Sequence, residues 1–83
     1  VHIAGAKAAD ELLNIDNVDA SFVAYYNGKG ISVSARSYGR INVQLIMEDI
    51  GGGGHQTMAA AQIDTKSFDE VFEKLNKSIE KFI

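Results

Sequence analysis

Apolar and polar residues alternate most clearly between residues 20 and 37. Residues 20–26 are rich in strand-forming types, and residues 31–36 alternate between apolar and polar side chains, as half-buried strands do. Between the two runs lies Asn27-Gly28-Lys29-Gly30, and Asn-Gly is a strong signal for a hairpin turn. The pattern therefore predicts an antiparallel β-hairpin.

The pairing register of this hairpin decides which side chains share a face. A two-residue turn at Asn27-Gly28 pairs Ala24 with Ile31 and Phe22 with Val33, which places the apolar residues together. A four-residue turn gives the same parity, so the assignment of faces does not depend on the length of the turn. Hydroxyls and a guanidinium then occupy the other face of the second strand, which is either a solvated outer face or a phosphate-recognition surface. These side chains are Ser32, Ser34 and Arg36.

Three other stretches carry apolar residues at the spacing of amphipathic helices, namely residues 3–15, 43–50 and 67–83. Asn42 is a suitable N-cap for the second helix, because its side chain can accept from the first free N–H groups. Gly51 is the natural terminator of the same helix. The pattern therefore predicts a short helix with well-defined ends directly before the glycine run.

The last third of the chain predicts a strand and the terminal helix. Residues 58–63 form a short strand, and its small residues let another backbone approach closely. Ser67 and Glu70 fit a capping box at the start of the helix. The element order is α-β-β-α-β-α, so we expect an α/β (α+β) fold: a single small domain with a mixed or antiparallel sheet, a hairpin and about three packed helices.

Half of the chain's eight glycines are consecutive, at positions 51–54, and His55 follows them. Glycine loses much backbone freedom on ordering, so an ordered run needs a local reason. One such reason is a bare backbone whose N–H groups approach an anion, with the His55 imidazole donating to the same anion. The alternative is a flexible tether. The run contains neither serine nor charge and has apolar structure on both sides, which favours a binding loop.

The predicted direction of helix 43–50 limits what can attract an anion to this loop. The glycine run leaves the C-terminal end of the helix, where the partial charge is negative. The helix dipole therefore cannot hold the anion. Phosphate binding would depend on the backbone N–H groups of the glycine run and on two side chains. The backbone groups are those of Gly51, Gly52, Gly53 and Gly54, and the side chains are those of His55 and Arg36.

Composition excludes several classes of protein. The 83 residues suffice for one modest core, and the net charge of −3 argues against a general nucleic-acid-coating surface, which would be basic. The chain has no cysteine for disulfides or thiolate metal sites, and no apolar run approaches the roughly 18 residues of a membrane span. Because the chain begins with Val1, we expect it to be a piece of a longer polypeptide.

The residues supply ligand-holding groups and no obvious catalytic set. The two histidines are His2, at the start of the chain, and His55, which has no carboxylate cluster at ligand spacing beside it. The sequence therefore predicts no metal site in this chain, and Asp16 and Asp19 fit a solvated turn better than a cation site. No serine lies in a strained elbow. Half of a divided active site would have this composition.

Four short motifs together match one family. They are Ser34-Ala35-Arg36-Ser37, then Asn42-Val43 opening a helix, then the Gly-Gly-Gly-Gly-His run at 51–55, then Ala59-Ala60-Ala61. Over nearly its whole length the chain resembles the DHH-associated C-terminal domain of DHH-family phosphoesterases. The four-glycine form, and Ala61 where many relatives have glycine, look most like the membrane-anchored cyclic-di-AMP phosphodiesterases (GdpP type). Nano-RNA and phosphoadenosine phosphatases and RecJ exonucleases share the motifs and remain alternatives.

The resemblance implies a catalytic DHH domain upstream, which holds two manganese ions that activate water for attack on a phosphodiester. Residues 1–83 would then be the substrate-binding domain. Arg36 would bind a phosphate, the 51–54 backbone would contact phosphate or base, and His55 would donate to an oxygen near the metals. Ser34 and Ser37 are further substrate-binding candidates, whereas Asn42 is better explained as a cap.

The implied activity is hydrolysis of cyclic di-AMP to a linear dinucleotide by the cytoplasmic domain of a membrane-anchored signalling protein. The implied ligands are a cyclic dinucleotide or a short oligonucleotide, and a homodimer is a further expectation. Two competing interpretations are a stand-alone nucleic-acid-binding module and a purely structural or dimer-forming domain. The acidic net charge opposes the first of these, and the pair Tyr25-Tyr26 weakly favours it.

Overall fold

The computed structural model describes residues 19–82, which form four strands and two helices. In chain order they are β1 (Ala20–Tyr26), β2 (Ile31–Ser37), α1 (Val43–Asp49), β3 (Gly53–Gly54), β4 (Met58–Ile63) and α2 (Phe68–Phe82). The predicted helix over residues 3–15 lies outside the described residues. Within them, the α+β class and the predicted order are confirmed, and the two-residue strand β3 is an addition that the sequence pattern did not indicate.

The strands form one sheet in the order β1-β2-β4-β3, and every neighbouring pair is antiparallel. Of the two predicted arrangements, mixed or antiparallel, the described residues have the antiparallel one. The strands β1 and β3 are the two edges, and β2 and β4 lie in the middle. The first strand of the hairpin, β1, and the strand within the glycine run, β3, are therefore the two opposite edges of one sheet.

The two-residue hairpin turn is wrong, and the four-residue turn is correct. Tyr26 pairs with Ile31, so Asn27 to Gly30 form the loop. The Asn27 carboxamide oxygen accepts from the backbone N–H groups of Lys29 and Gly30, both at 2.9 Å, which closes the wider turn. A side chain at Gly30 would lie 2.5 Å from the Ile63 carbonyl oxygen. The predicted parity still holds, because the two registers differ by two residues.

The core lies on one face of the sheet, where the two helices cover it. Apolar residues of β2 and β4 pack there against residues of α1 and α2. Among them, the β2 residues Ile31, Val33 and Ala35 and the α1 residues Val43 and Ile46 are fully buried. Among the described residues, the opposite face of β2 carries the polar side chains Ser32, Ser34 and Arg36.

The hydroxyls of β2 are more sheltered than a solvated outer face would be. Ser32 and Ser34 are only 4% and 5% exposed. They lie on a strand with a neighbouring strand on each side, and Asn27 Nδ2 donates to the Ser32 hydroxyl oxygen at 2.6 Å. The second face is therefore a sheltered polar strip.

Helix α1 has both of its ends satisfied by its own flanking residues. The Asn42 side-chain oxygen accepts from the backbone N–H groups of Gln44 and Leu45, at 3.0 and 3.4 Å. At the other end, Gly51 N–H donates to Glu48 and Gly52 N–H donates to Met47, which is the Schellman arrangement. Asn42 is confirmed as a cap and Gly51 as the terminator.

Helix α2 begins with half of the predicted capping box. The Ser67 hydroxyl accepts from Glu70 N–H at 3.2 Å, as expected. The reciprocal bond is replaced, because Ser67 N–H donates to the Thr65 hydroxyl oxygen at 3.1 Å. Glu70 instead pairs with Lys74 one turn further along the helix.

Candidate ligand-binding site

The exposed face of the sheet carries a concave surface that encloses a volume of about 390 Å³. It is lined by residues of β1, β2, β3 and β4 and of the turn after β3. Arg36, Ser34, Gly53, Gly54 and His55 all line it. The structure therefore brings together the guanidinium of the hairpin and the imidazole after the glycine run, although they are 19 positions apart in the sequence.

The floor of this surface is a row of small residues running across three strands. Ser34 pairs with Ala60, and Ala60 pairs with Gly53, so these three positions lie side by side. Their side chains shrink from a hydroxymethyl to a methyl to a hydrogen toward the β3 edge. A ligand can therefore approach the backbone closely in the middle of the sheet.

Gly51 and Gly52 lie outside the concave surface, and their N–H groups are committed to α1. Both donate to carbonyl groups of the last helical turn, at 3.1 and 2.7 Å. The expectation that all four glycine N–H groups are available to an anion is therefore wrong for these two. The local reason is that the helix end needs donors for its last carbonyl groups.

Gly54 presents its backbone polar groups to the edge of the sheet. His55 and Met58 exchange backbone hydrogen bonds, at 2.6 and 3.3 Å, so they form a hydrogen-bonded pair. Pairs alternate along an antiparallel ladder, so the next pair, Gly54 with Ala59, is not hydrogen-bonded. The N–H and C=O of Gly54 thus point away from β4. Its φ of 143° is a conformation that favours glycine.

His55 is held at the rim by a tight turn that is tied to the loop after β2. The turn residues Gln56 and Thr57 have carbonyl groups that accept from the N–H groups of Val43 and Ser37, both at 3.0 Å. Gln56 Nε2 also donates to the Gly39 carbonyl at 3.0 Å. The His55 side chain is exposed, so its imidazole can face a ligand on the concave surface.

Arg36 is half-buried on the same face. Its Nη1 donates to the Ala35 carbonyl oxygen at 2.9 Å, which fixes one arm of the guanidinium against the strand. A guanidinium presents five N–H donors in a planar fork, a geometry that matches two oxygens of a phosphate. The neighbouring Arg40 has no such position, since it is exposed and pairs with Asp19 at 3.7 Å.

Ser37 serves the loop that follows β2. It lies on the opposite face of β2 from Arg36 and is buried. Its hydroxyl donates to the Ile41 carbonyl at 2.6 Å and accepts from Gly39 N–H at 2.8 Å. The structure therefore does not bring Ser37 to the concave surface with Ser34 and Arg36, because the side chains of a strand alternate between its faces.

Tyr25, Gln62 and Met58 also line the surface. Sequence reasoning did not name Gln62 and Met58 as site residues, and it used Tyr25 only as weak support for a nucleic-acid-binding module. Gln62 and Met58 carry no signal in the sequence alone, because they reach the site only through the antiparallel pairing of β4 with β2. Tyr25 could have been assigned to the site, since the parity of the hairpin already places it on the same face as Ser32.

Over residues 19–82, no group of three or more His, Cys, Asp or Glu side chains is placed to hold a metal ion. In the same part of the chain, no buried side-chain nitrogen or oxygen lacks a hydrogen-bond partner. Asp16, one of the two turn aspartates, lies outside the described residues. Neither of the two helices there combines the length and the apolar character needed to cross a bilayer.

Fold and site together define a class of protein: a small α+β domain that presents arginine, histidine and bare backbone on the open face of an antiparallel sheet. Such a surface can hold an anionic ligand. Residues 4–83 match the DHHA1 domain family, and the chain belongs to that family.

Two curated relatives are similar to most of this chain. The cyclic-di-AMP phosphodiesterase GdpP of Bacillus subtilis is 46% identical over 93% of the chain. The cyclic-di-AMP phosphodiesterase PdeA of Listeria monocytogenes is 43% identical over 96%. The chain spans only 12% of the length of each.

A solved structure confirms the fold. It is described as an exopolyphosphatase-related protein from Bacteroides fragilis and matches with a TM-score of 0.77 at 25% sequence identity. The match covers 89% of this chain and 22% of that one. The predicted resemblance to DHH-associated domains is thus confirmed by family, by relatives and by structure.

Proposed function

We propose that this chain is the substrate-binding domain of a phosphodiesterase that hydrolyses cyclic di-AMP to a linear dinucleotide. The observation that carries the proposal is the shared concave surface of Arg36, Gly54 and His55. The names of the two relatives supply the reaction and the substrate. Nucleotide binding is therefore the role of the exposed face of the sheet.

Each group in the proposed site has a chemical task. The Arg36 guanidinium offers a planar fork of donors to two oxygens of one phosphate. The outward N–H of Gly54 can donate to the same anion at the sheet edge. His55 donates from the rim to a phosphoryl oxygen, and its exposure allows it to approach a group presented by another domain. Ser34, on the floor, offers a hydroxyl to the sugar-phosphate backbone.

The rest of the active site lies outside this chain under this proposal. The described residues do not fit a metal ion, so two manganese ions would belong to a DHH domain elsewhere in the same polypeptide. That polypeptide would be anchored to the membrane, with this domain on the cytoplasmic side. Substrate would bind between the two domains, because neither domain alone would hold a complete site.

Replacement of Arg36 by alanine tests the proposal in the polypeptide that joins this chain to its DHH domain. A charge-assisted hydrogen bond contributes roughly 1.5–3 kcal/mol, so kcat/KM for cyclic di-AMP should fall about tenfold to a hundredfold. Arg40→Ala is the matched control, because Arg40 is an exposed arginine four positions along the chain that lies outside the concave surface. Its kcat/KM should stay within about twofold of the parent, within the usual range for surface changes.

Equal activity of the Arg36→Ala and parent proteins would overturn the proposal in favour of a structural domain. A titration with short single-stranded RNA tests the remaining alternative, a stand-alone nucleic-acid-binding module. Tight, strongly salt-dependent RNA binding without any effect of mononucleotides would favour a nucleic-acid-binding module.

A further inference from the structure

The concave surface has a second polar end, away from Arg36. Tyr25 pairs with Ser32, and Ser32 pairs with Gln62, so the three form one row across β1, β2 and β4. All three line the surface. The phosphate contacts proposed for Arg36, Gly54 and His55 do not use this row.

The spacing of the two ends suits one nucleotide. Ser32 and Arg36 are four residues apart on β2, which is about 13 Å at about 3.3 Å per residue. Between them lies the floor of small residues, to which β2 contributes Ser34. A nucleotide with its phosphate at Arg36 would lay its sugar over this floor and bring its base to the second end.

The side chains at this end suit a purine. Tyr25 supplies an aromatic ring, and the exposed Gln62 supplies a carboxamide with both a donor and an acceptor. Gln62 is held in place because its strand neighbours Ala61 and Ile63 are buried in the core. Ser32 is fixed in the same row by the bond that it accepts from Asn27.

The carboxamide also distinguishes between purines. Glutamine can form two hydrogen bonds with adenine, donating to N7 and accepting from the N6 amino group. Guanine presents acceptors at both N7 and O6, so the carboxamide oxygen would face another oxygen. We infer that Gln62 is a specificity-determining residue that selects adenine over guanine at this end of the site. This inference rests on the proposed function.

Binding of two mononucleotides tests the inference. The dissociation constants of adenosine and guanosine 5′-monophosphate are measured by calorimetry, with the full polypeptide that carries this chain and with its variants. Gln62→Ala should weaken binding of the adenosine nucleotide about tenfold and change that of the guanosine nucleotide by less than about twofold. Gln44→Ala is the matched control, since Gln44 is a glutamine of α1 that bonds Glu48 outside the site. It should change neither constant.

The Arg36→Ala variant distinguishes a failure of the adenine assignment from a failure of the proposed function. It should weaken both nucleotides equally, because it removes a phosphate contact. If it does so and Gln62→Ala weakens both nucleotides equally, or neither, the adenine assignment is wrong and the proposed function stands. If Arg36→Ala leaves both constants unchanged, the proposed function fails first.

Discussion

At the scale of single residues, the four consecutive glycines serve different purposes. Gly51 has a φ of 97° at the end of α1, where a side chain is strained. A Cβ added at Gly52 would lie 2.1 Å from the Ala60 carbonyl oxygen, and one added at Gly54 would lie 2.5 Å from the Ala59 Cα. At Gly53 an added Cβ would meet no atom within 4 Å. Three glycines are therefore required by the fold, and Gly53 is left to the surface that it lines.

Gly52→Ala and Gly53→Ala should differ sharply in stability. Gly52→Ala forces a methyl group into the backbone of β4, so it should lower the free energy of unfolding by about 1–3 kcal/mol or more. Gly53→Ala adds a methyl group in open space and should change that free energy by less than about 1 kcal/mol. Urea denaturation of both variants measures the difference. Equal destabilisation would mean that Gly52 does not approach Ala60 closely.

At the scale of elements, the two helices are joined by contacts that differ in kind. Their apolar side chains share one core, and the buried Ser78 hydroxyl of α2 donates to the Ile46 carbonyl of α1 at 3.1 Å. At the surface, Lys81 Nζ lies 3.0 Å from an Asp49 carboxylate oxygen. That hydrogen bond from Lys81 lowers the pKa of Asp49 below its ordinary value of 3.8.

The Asp49–Lys81 pair should make a contribution to stability that depends on pH. A carboxyl whose pKa is lower in the folded state stabilises the fold above its unfolded pKa, and the contribution is lost as the pH falls through the folded value. Lys81→Ala should therefore destabilise the domain slightly near neutral pH, and the difference from the parent should vanish in acid. Carboxyl NMR titration should show the Asp49 pKa rising toward 3.8 in that variant.

Lys77→Ala is the control for this experiment. Lys77 also belongs to α2, but its partner is Glu73 on the same helix, at 3.3 Å. This variant should leave the Asp49 pKa unchanged. A difference between Lys81→Ala and the parent that persists unchanged below the folded Asp49 pKa would contradict an electrostatic origin.

At the scale of the whole molecule, one sheet separates two environments. Its inner face is apolar and covered by α1 and α2, and its outer face carries the concave surface. The outer groups can hold an anion, yet the described residues lack a cluster that could bind a metal. Under the proposed function, another domain of the same polypeptide would complete the site.

The 83-residue chain on its own should hydrolyse no cyclic di-AMP, with or without added manganese. The physical reason is that, under the proposed function, the described residues contact the phosphate, whereas metal ions of the DHH domain would activate the water. Chromatographic detection of the linear dinucleotide checks this, with the polypeptide that includes the DHH domain as the positive control. Turnover by the isolated chain, in a preparation free of contaminating nuclease, would show that hydrolysis does not require the DHH domain.

Patterns of neighbouring residues were enough to predict most elements. The alternation in residues 31–36 and the spacing of Val43, Ile46 and Met47 predict β2 and α1, because burial on one face imposes a period on the sequence. Asn42 and Gly51 mark the ends of α1 for equally local reasons. The sequence left open a two-residue or a four-residue hairpin turn, because the bonds that Asn27 accepts, which close the wider turn, depend on the conformation of the turn.

The sequence by itself determined β1, β2, β4 and the two described helices with their ends, since these follow from side-chain periodicity and from capping chemistry within a few residues. It also pointed to Arg36 and His55 as ligand-binding candidates. Only the tertiary structure decided that Gln62 and Met58 enter the site, and that Ser34, Ala60 and Gly53 lie side by side as its floor. These outcomes depend on how β4 and β3 pair, and pairing brings together residues that no local pattern links.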